Sequence, residues 1–346
     1  MKKIVVKIGS SLIAPSGNLD MALLAELVKD IIEAQNQGYK VILVSSGAIA
    51  CGAHKLGLKK KPTDTHSLMA IASLGQIVLM DAYSDAFAAH KKSCAQILLT
   101  WDDFDNRKRF LNARSTIAKL LSLDIIPIIN ENDAVSCDEI KFGDNDRLSA
   151  LVADLTRAET LIILSDVPGL LDGTRLVPVI EKIDANVLAL VRREDKALTS
   201  GGMFTKLEAA KISLSLGVQM IIASGREEKV ISRIAAGEHL GTLFVSCGQK
   251  HTARKRWIAF SKKIKGMIYV DDGAAEAITH RGKSLLCVGI TKTEGEFKRK
   301  DSVEVVDSHG NILGCGLVNY SADELVNCRS KKLEQEVIHR DNFVQK

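Results

Sequence analysis

Lys3-Ile4-Val5-Val6-Lys7-Ile8-Gly9-Ser10-Ser11 is a short β-branched run that stops at a glycine and two hydroxyl residues. A continuous apolar run of this length reads as a strand buried on both faces, the habit of parallel sheets. Working outward, comparable runs occupy residues 41–45, 95–99, 125–129, 161–164 and 220–223. Between them Leu24, Leu27, Val28, Ile31 and Ile32 recur at helical spacing up to Gly38, and residues 69–89 carry a second long helical pattern. Strand and helix in alternation predict an α/β three-layer sandwich on a mostly parallel central sheet, with its chemistry at the strand-to-helix turns. Lys7 is the anomaly in this stretch, because a lysine in an apolar strand costs desolvation energy unless an anion answers it.

Two further turns repeat the glycine and hydroxyl chemistry: Ser45-Ser46-Gly47-Ala48 and Ser200-Gly201-Gly202-Met203-Phe204-Thr205-Lys206. Glycine allows close backbone approach, and N–H groups at a helix start attract anions, so each turn is a candidate phosphate or carboxylate cradle. A polar cluster, Asn130-Glu131-Asn132-Asp133 and Gly143-Asp144-Asn145-Asp146, could grip an amino group, order lysines or reach magnesium through phosphate and water. Arg281-Gly282-Lys283-Ser284 resembles the end of a P-loop, but Ala277 stands at the leading glycine position and no G-x-G-x-x-G occurs. P-loop and protein-kinase chemistry are thereby excluded.

At 346 residues the chain is expected to hold two domains. Residues 1–250 read as the α/β domain and 256–330 as a compact, mainly β module, with strands at 268–270, 285–290, 302–306 and 312–318, a short helix at 274–279 and a turn at 308–311. Residues 331–346 read as a polar tail. Residues 254–300 carry twelve Lys/Arg against five Asp/Glu, a local +7 within a total of +5, so the remainder is about −2. That basic stretch suits a phosphate backbone or a solvated face equally. The N-terminal run is too short for a signal peptide or a membrane span, and the seven cysteines lack zinc-ligand spacing, so a cytoplasmic protein with buried or idle thiols is expected.

In chain order, Lys7-Ile8-Gly9-Ser10-Ser11, Ser45-Ser46-Gly47-Ala48-Ile49-Ala50, Phe110-Leu111-Asn112-Ala113-Arg114, Ile129-Asn130-Glu131-Asn132-Asp133-Ala134-Val135, Gly143-Asp144-Asn145-Asp146 and Gly201-Gly202-Met203-Phe204-Thr205-Lys206 resemble the glutamate 5-kinase family. The resemblance implies the amino acid kinase fold with a C-terminal PUA domain, an RNA-binding-type module. It implies ATP-dependent phosphorylation of the glutamate side-chain carboxylate, the first step of proline biosynthesis. Lys7 and Lys206 would neutralise the transferring group, with Asp146 ordering them. Ser46, Asp133 and Asn145 would bind glutamate. Lys7, Ser165, Asp166, Ser200, Gly201, Gly202, Met203, Phe204, Thr205 and Lys206 would meet ATP. Mg²⁺ would arrive with ATP, with no preformed protein metal site. Proline as feedback inhibitor, an RNA contact through the PUA-like module, a homo-oligomer and no membrane partner complete the expectation. The sequence departs from the family after Leu170, where Leu171-Asp172-Gly173-Thr174-Arg175 replaces a longer tyrosine-containing loop, and before the Gly-Gly-Met turn, where residues 192–199 are shortened and Ser200 replaces threonine. The nearest rivals are kinases of the same fold acting on aspartate, acetylglutamate, carbamate or a nucleoside monophosphate; an RNA-binding factor is the alternative from another class.

Overall fold

The computed structural model describes residues 2–15, 17–58, 60–135, 145–194, 202–245, 264–326 and 334–345. Gly143, Asp144, Ser200, Gly201 and the expected domain boundary lie outside these. The chain divides into two compact units, Met1–Lys250 and His251–Lys346.

In the first unit the strands are β1 (Lys3–Ile8), β2 (Lys40–Ser45), β3 (Cys94–Leu99), β4 (Ile126–Glu131), β5 (Thr160–Ser165), β6 (Leu171–Asp172), β7 (Arg175–Leu176), β8 (Val179–Ile180), β9 (Gln219–Ser224) and β10 (Thr242–Phe244). The helices are α1 (Ser10–Ile13), α2 (Met21–Asn36), α3 (Ala48–Lys55), α4 (Thr65–Ala88), α5 (Trp101–Asp105), α6 (Arg107–Ser122), α7 (Asn145–Thr156), α8 (Ala185–Glu194), α9 (Met203–Ser215) and α10 (Val230–Ala235). The main sheet runs β3-β4-β2-β1-β5-β9-β10-β8 and is parallel from β3 to β9, where β10 turns antiparallel. All six strands expected here form within two residues of their sequence positions. β6 and β7 make a separate two-stranded hairpin across Gly173, occupying the shortened loop.

One sheet face carries Ile4, Val6, Ile8, Leu43, Ile128 and Ile162 into a core shared with α2, α4 and α10. Alternate residues Val5, Ile42, Val44 and Ile163 are equally buried on the other face, where α7 contacts β1, β2 and β5. This is the expected three-layer arrangement, and period-two burial on both sides is why these strands lack alternation. β3 departs from that reading. It is half-buried because its position at the sheet edge gives it a single neighbour, β4. α4 is long and apolar enough to cross a membrane by length and composition, yet its Leu79, Ala82, Tyr83 and Phe87 lie in the core.

α3 and α4 touch backbone to backbone. A Cβ on Gly75 would lie 1.8 Å from the Ala48 carbonyl oxygen, and one on Gly52 would lie 2.0 Å from that of Ile71. Glycine is required at both places because nothing flexible is available to move. The contact fixes where α4 passes the start of α3, and so where Gln76 stands relative to the Ser46-Gly47 turn.

In the second unit β11 (Ile264–Val270), β12 (Ile290–Gly295), β13 (Ser302–Val306), β14 (Ile312–Leu317) and β15 (Phe343–Gln345) form a sheet in the order β12-β11-β13-β14-β15, with α11 (Asp272–Thr279) and α12 (Ala322–Leu325). Two expectations are corrected. Residues 285–290 are not one strand: Cys287–Gly289 form a 3₁₀ turn, because Gly289 passes so close to Ala274 of α11 that a Cβ would meet it at 2.3 Å, and the strand begins only at Ile290. Residues 334–345 are not a tail. Val337, Ile338 and Phe343 enter the core and β15 pairs antiparallel with β14, since these apolar residues gain burial despite charged neighbours. The thiols are not all idle either, as Cys287 is disulfide-bonded while Cys51 and Cys94 are free.

Gly75→Ala should destabilise the protein by about 1–3 kcal/mol or more, since the methyl group overpacks a backbone contact. Urea unfolding read by far-UV circular dichroism tests this; a midpoint equal to the wild type would show that α3 and α4 can separate without cost.

Candidate active site

The carboxyl ends of β1, β2, β4 and β5 open beside the N-termini of α3, α7 and α9, the position where open parallel sheets gather ligands. β1 is the pivot, pairing with β2 on one side and β5 on the other, so Lys7 stands opposite Val44 and Ile163. Beyond it the Gly9 N–H donates to the Leu164 carbonyl at 3.3 Å.

α7 begins at Asn145, placing Asp146 in its first turn, and Lys206 lies in the first turn of α9. Asp146 Oδ1 is 2.5 Å from Lys7 Nζ, and its Oδ2 is 3.5 Å from Lys206 Nζ. Thr205 Oγ1 donates to Oδ2 at 2.8 Å. All three charged groups are nearly sealed, at 6% exposure for Lys7, 1% for Asp146 and 7% for Lys206. Burial pulls the Lys7 ammonium below the usual lysine range; Asp146 opposes this, while the charge of Lys206 adds to it. Burial pushes the Asp146 carboxyl up, but Lys7 and Lys206 together outweigh it and hold the group below its ordinary value. One carboxylate thus gathers two cations at the carboxyl ends of the strands. In a low-dielectric site such cations attract an anion strongly.

Beside this cluster lies an amide cluster. Asn145 Nδ2 reaches Ser46 Oγ at 2.9 Å, the Ser45 carbonyl at 3.1 Å and Asn130 Oδ1 at 2.8 Å. Asn130 Nδ2 donates to Gln76 Oε1 at 2.7 Å, and Ser45 Oγ shares a 2.9 Å hydrogen bond with the Tyr83 hydroxyl. Gly47 has φ +116, a conformation that suits glycine and lets the chain turn from β2 into α3 with Ser46 facing Asn145. Asn145 Oδ1 is buried and has no hydrogen-bond partner among the described residues. A buried acceptor without a donor is costly in an empty protein and useful where a ligand brings the donor.

Of the residues singled out by sequence, Lys7, Asp146 and Lys206 meet in one cluster, and Ser46 and Asn145 in the other. Asp133 is half-buried just beyond β4. Ser165 closes β5 and donates to the exposed Asp166 at 3.0 Å. Gly202 and Met203 are half-buried at the start of α9, whereas Phe204 is 56% exposed. Sequence reasoning passed over Gln76. Its one signal was a polar side chain following Gly75 inside an otherwise apolar helical run.

The amino acid kinase family matches residues 2–224, and the PUA domain matches residues 266–340. A protein of Caldanaerobacter subterraneus named glutamate 5-kinase is 43% identical over 99% of this chain and 97% of its own. The chain belongs to the amino acid kinase family, among its glutamate 5-kinases. A Chromobacterium violaceum protein of the same name is 45% identical over 99% of this chain and 97% of its own. The solved structure of Giardia carbamate kinase, 19% identical, covers 70% of this chain and 98% of its own with a TM-score of 0.50. At that identity it speaks for the shared kinase fold alone.

Asp146→Asn removes the counter-charge of two buried lysines and should lower stability by about 3–5 kcal/mol at neutral pH. The deficit should narrow as pH rises towards the ordinary lysine value of 10.5. A buried lysine with a lowered value releases its proton in the native state first, which leaves the unfolded state more protonated and makes stability climb with pH. In the wild type the lowered Lys7 gives a rising slope at alkaline pH as well, and at acid pH the sign is set by the carboxylate. Its depressed value contributes stability that is complete above about 3.8 and lost as pH falls through the folded value. Urea titrations of both proteins from pH 3 to 10 check the two slopes.

Proposed function

We propose that this kinase transfers the γ-phosphoryl group of ATP to the side-chain carboxylate of glutamate, the activity named in its relatives. The Lys7–Asp146–Lys206 cluster is the observation that carries the reading. A carboxylate oxygen attacks the γ-phosphorus, the bond to the β–γ bridging oxygen breaks, ADP leaves and an acyl phosphate remains. The attacking carboxylate is already ionised at neutral pH, with an ordinary value of about 4.3, so no general base is needed. What is needed is positive charge where two anions meet, and positioning of the acceptor.

Lys7 and Lys206 supply the charge at the end of the β1 strand and the start of α9. Asp146 keeps both from drifting onto other anions and keeps Lys7 protonated against burial. Ser46, Asn145 and Asp133 bind the acceptor, with the unpartnered Asn145 Oδ1 suited to an ammonium donor. Ser165, Asp166 and the start of α9 line the nucleotide side, and the resemblance adds Ser200 and Gly201, which lie outside the described residues. Both oxygens of Asp146 are engaged by the lysines and Thr205. In this reading Mg²⁺ would come with the ATP phosphates and supply further charge neutralisation there. Cytoplasmic location, proline as a feedback inhibitor, a homo-oligomer and RNA contact through the PUA domain are proposals that rest on the resemblance.

With ATP, Mg²⁺ and a panel of carboxylate acceptors, glutamate should release ADP and give a product trapped by hydroxylamine. Lys206→Ala should lower kcat by roughly 10²-fold or more, the effect of removing one stabiliser of transition-state charge. Trapped product from another acceptor and none from glutamate would overturn the substrate. Asp133→Asn should raise the glutamate KM and leave that of ATP near the wild-type value.

A further inference from the structure

We infer that Gln76 is a positioning residue for the acceptor site, anchoring Asn130 so that Asn130 in turn holds Asn145 in place against the substrate; the inference rests on the glutamate reading above. Gln76 lies on α4, beside the carboxyl end of β4, and is 9% exposed. The hydrogen bonds around it have one consistent polarity. The Glu131 backbone N–H can only donate, and it reaches Asn130 Oδ1 at 2.9 Å. The Ser45 carbonyl can only accept, and it faces Asn145 Nδ2 at 3.1 Å. These two backbone groups settle both amides, since Asn130 must present oxygen to Glu131 and Asn145, and Asn145 must present nitrogen to Ser45. Asn130 then has only its NH₂ for Gln76, which answers with Oε1 at 2.7 Å.

Two buried atoms remain without partners among the described residues: Asn145 Oδ1 at one end of the relay and Gln76 Nε2 at the other. The relay thus holds an acceptor ready for the substrate, at the expense of an unused donor on Gln76. A wholly structural glutamine would be expected to use both ends. The glycine contact supports the same conclusion. Gly75, the residue before Gln76, is pressed against the Ala48 carbonyl, so α4 cannot shift to relieve Gln76 without opening the turn that carries Ser46. The amide is held to the acceptor side of the site. Its described hydrogen bond runs to Asn130, so the ATP side should be indifferent to it.

The test is a comparison of Gln76→Leu and Gln76→Glu with the wild-type full-length protein. Gln76→Leu keeps the volume and removes the acceptor. It should raise the glutamate KM about tenfold or more, the worth of one buried hydrogen bond, with the ATP KM within about twofold. In Gln76→Glu the protonated carboxyl keeps a carbonyl acceptor for Asn130, whereas the ionised form adds an anion near an anionic substrate. Its glutamate KM should therefore fall towards the wild-type value between pH 8 and pH 6, while the wild type changes little over that range. Unchanged glutamate KM in Gln76→Leu, or equal rises in both KM values, would overturn the relay. The wild-type arm separates the two claims. If another carboxylate proves to be the acceptor, the glutamate reading fails and the same KM split is read on that acceptor. Independently of turnover, the Asn130 side-chain NH₂ signals should exchange with solvent faster in Gln76→Leu, and unaltered exchange would also overturn the relay.

Discussion

Everything at the open end of this sheet depends on one buried ionic contact, Asp146 between Lys7 and Lys206. Lys7 belongs to the central strand, with β2 on one side and β5 on the other, and a lone ammonium there would be expelled or neutralised. It stays because α7 and α9 bring a carboxylate and a second lysine to it from their first turns. One carboxylate thus gathers two ammonium groups at the strand ends, where positive charge is well suited to a triphosphate meeting a carboxylate.

The N-terminus of α7 divides the labour. Consecutive residues on a helix point about 100° apart, so Asn145 joins the amide cluster of Ser46 and Asn130 while Asp146 joins the lysines. The amide cluster and the charged cluster are thus joined through one helical turn. The close passage of α3 and α4 completes this arrangement by fixing the Ser46 turn and Gln76 relative to each other. The second unit has a core of its own, built on Ile268, Val303, Val305 and Ile338.

Much of the fold was legible from local chemistry. The six parallel strands announced themselves because both faces are buried, which turns each into an unbroken β-branched run. Glycine turns marked the strand ends, and Lys7 marked the site by being out of place. Where reading failed, the reason was long-range contact. Residues 285–290 looked like a strand until Gly289 met Ala274, and Val337, Ile338 and Phe343 looked like parts of a charged tail until β15 found β14. Short strands such as β8 and β10 carry too little pattern to be seen, because their neighbours define them more than their residues do.

Sequence by itself determined the class of fold, the glycine turns at the strand ends and the out-of-place Lys7, while Lys206 and Asp146 were named by the family resemblance. The first three follow from side-chain polarity and backbone freedom at single positions. Only the tertiary structure decided that Asp146 bridges both lysines, that Asn145 and Asp146 serve opposite sides of the site, and that Gln76 belongs to it at all. The distance along the chain from Lys7 to Lys206, or from Gln76 to Asn130, contains no sign of contact. That contact exists because the order of strands in the sheet and the glycine-to-glycine crossing of α3 and α4 bring the residues together.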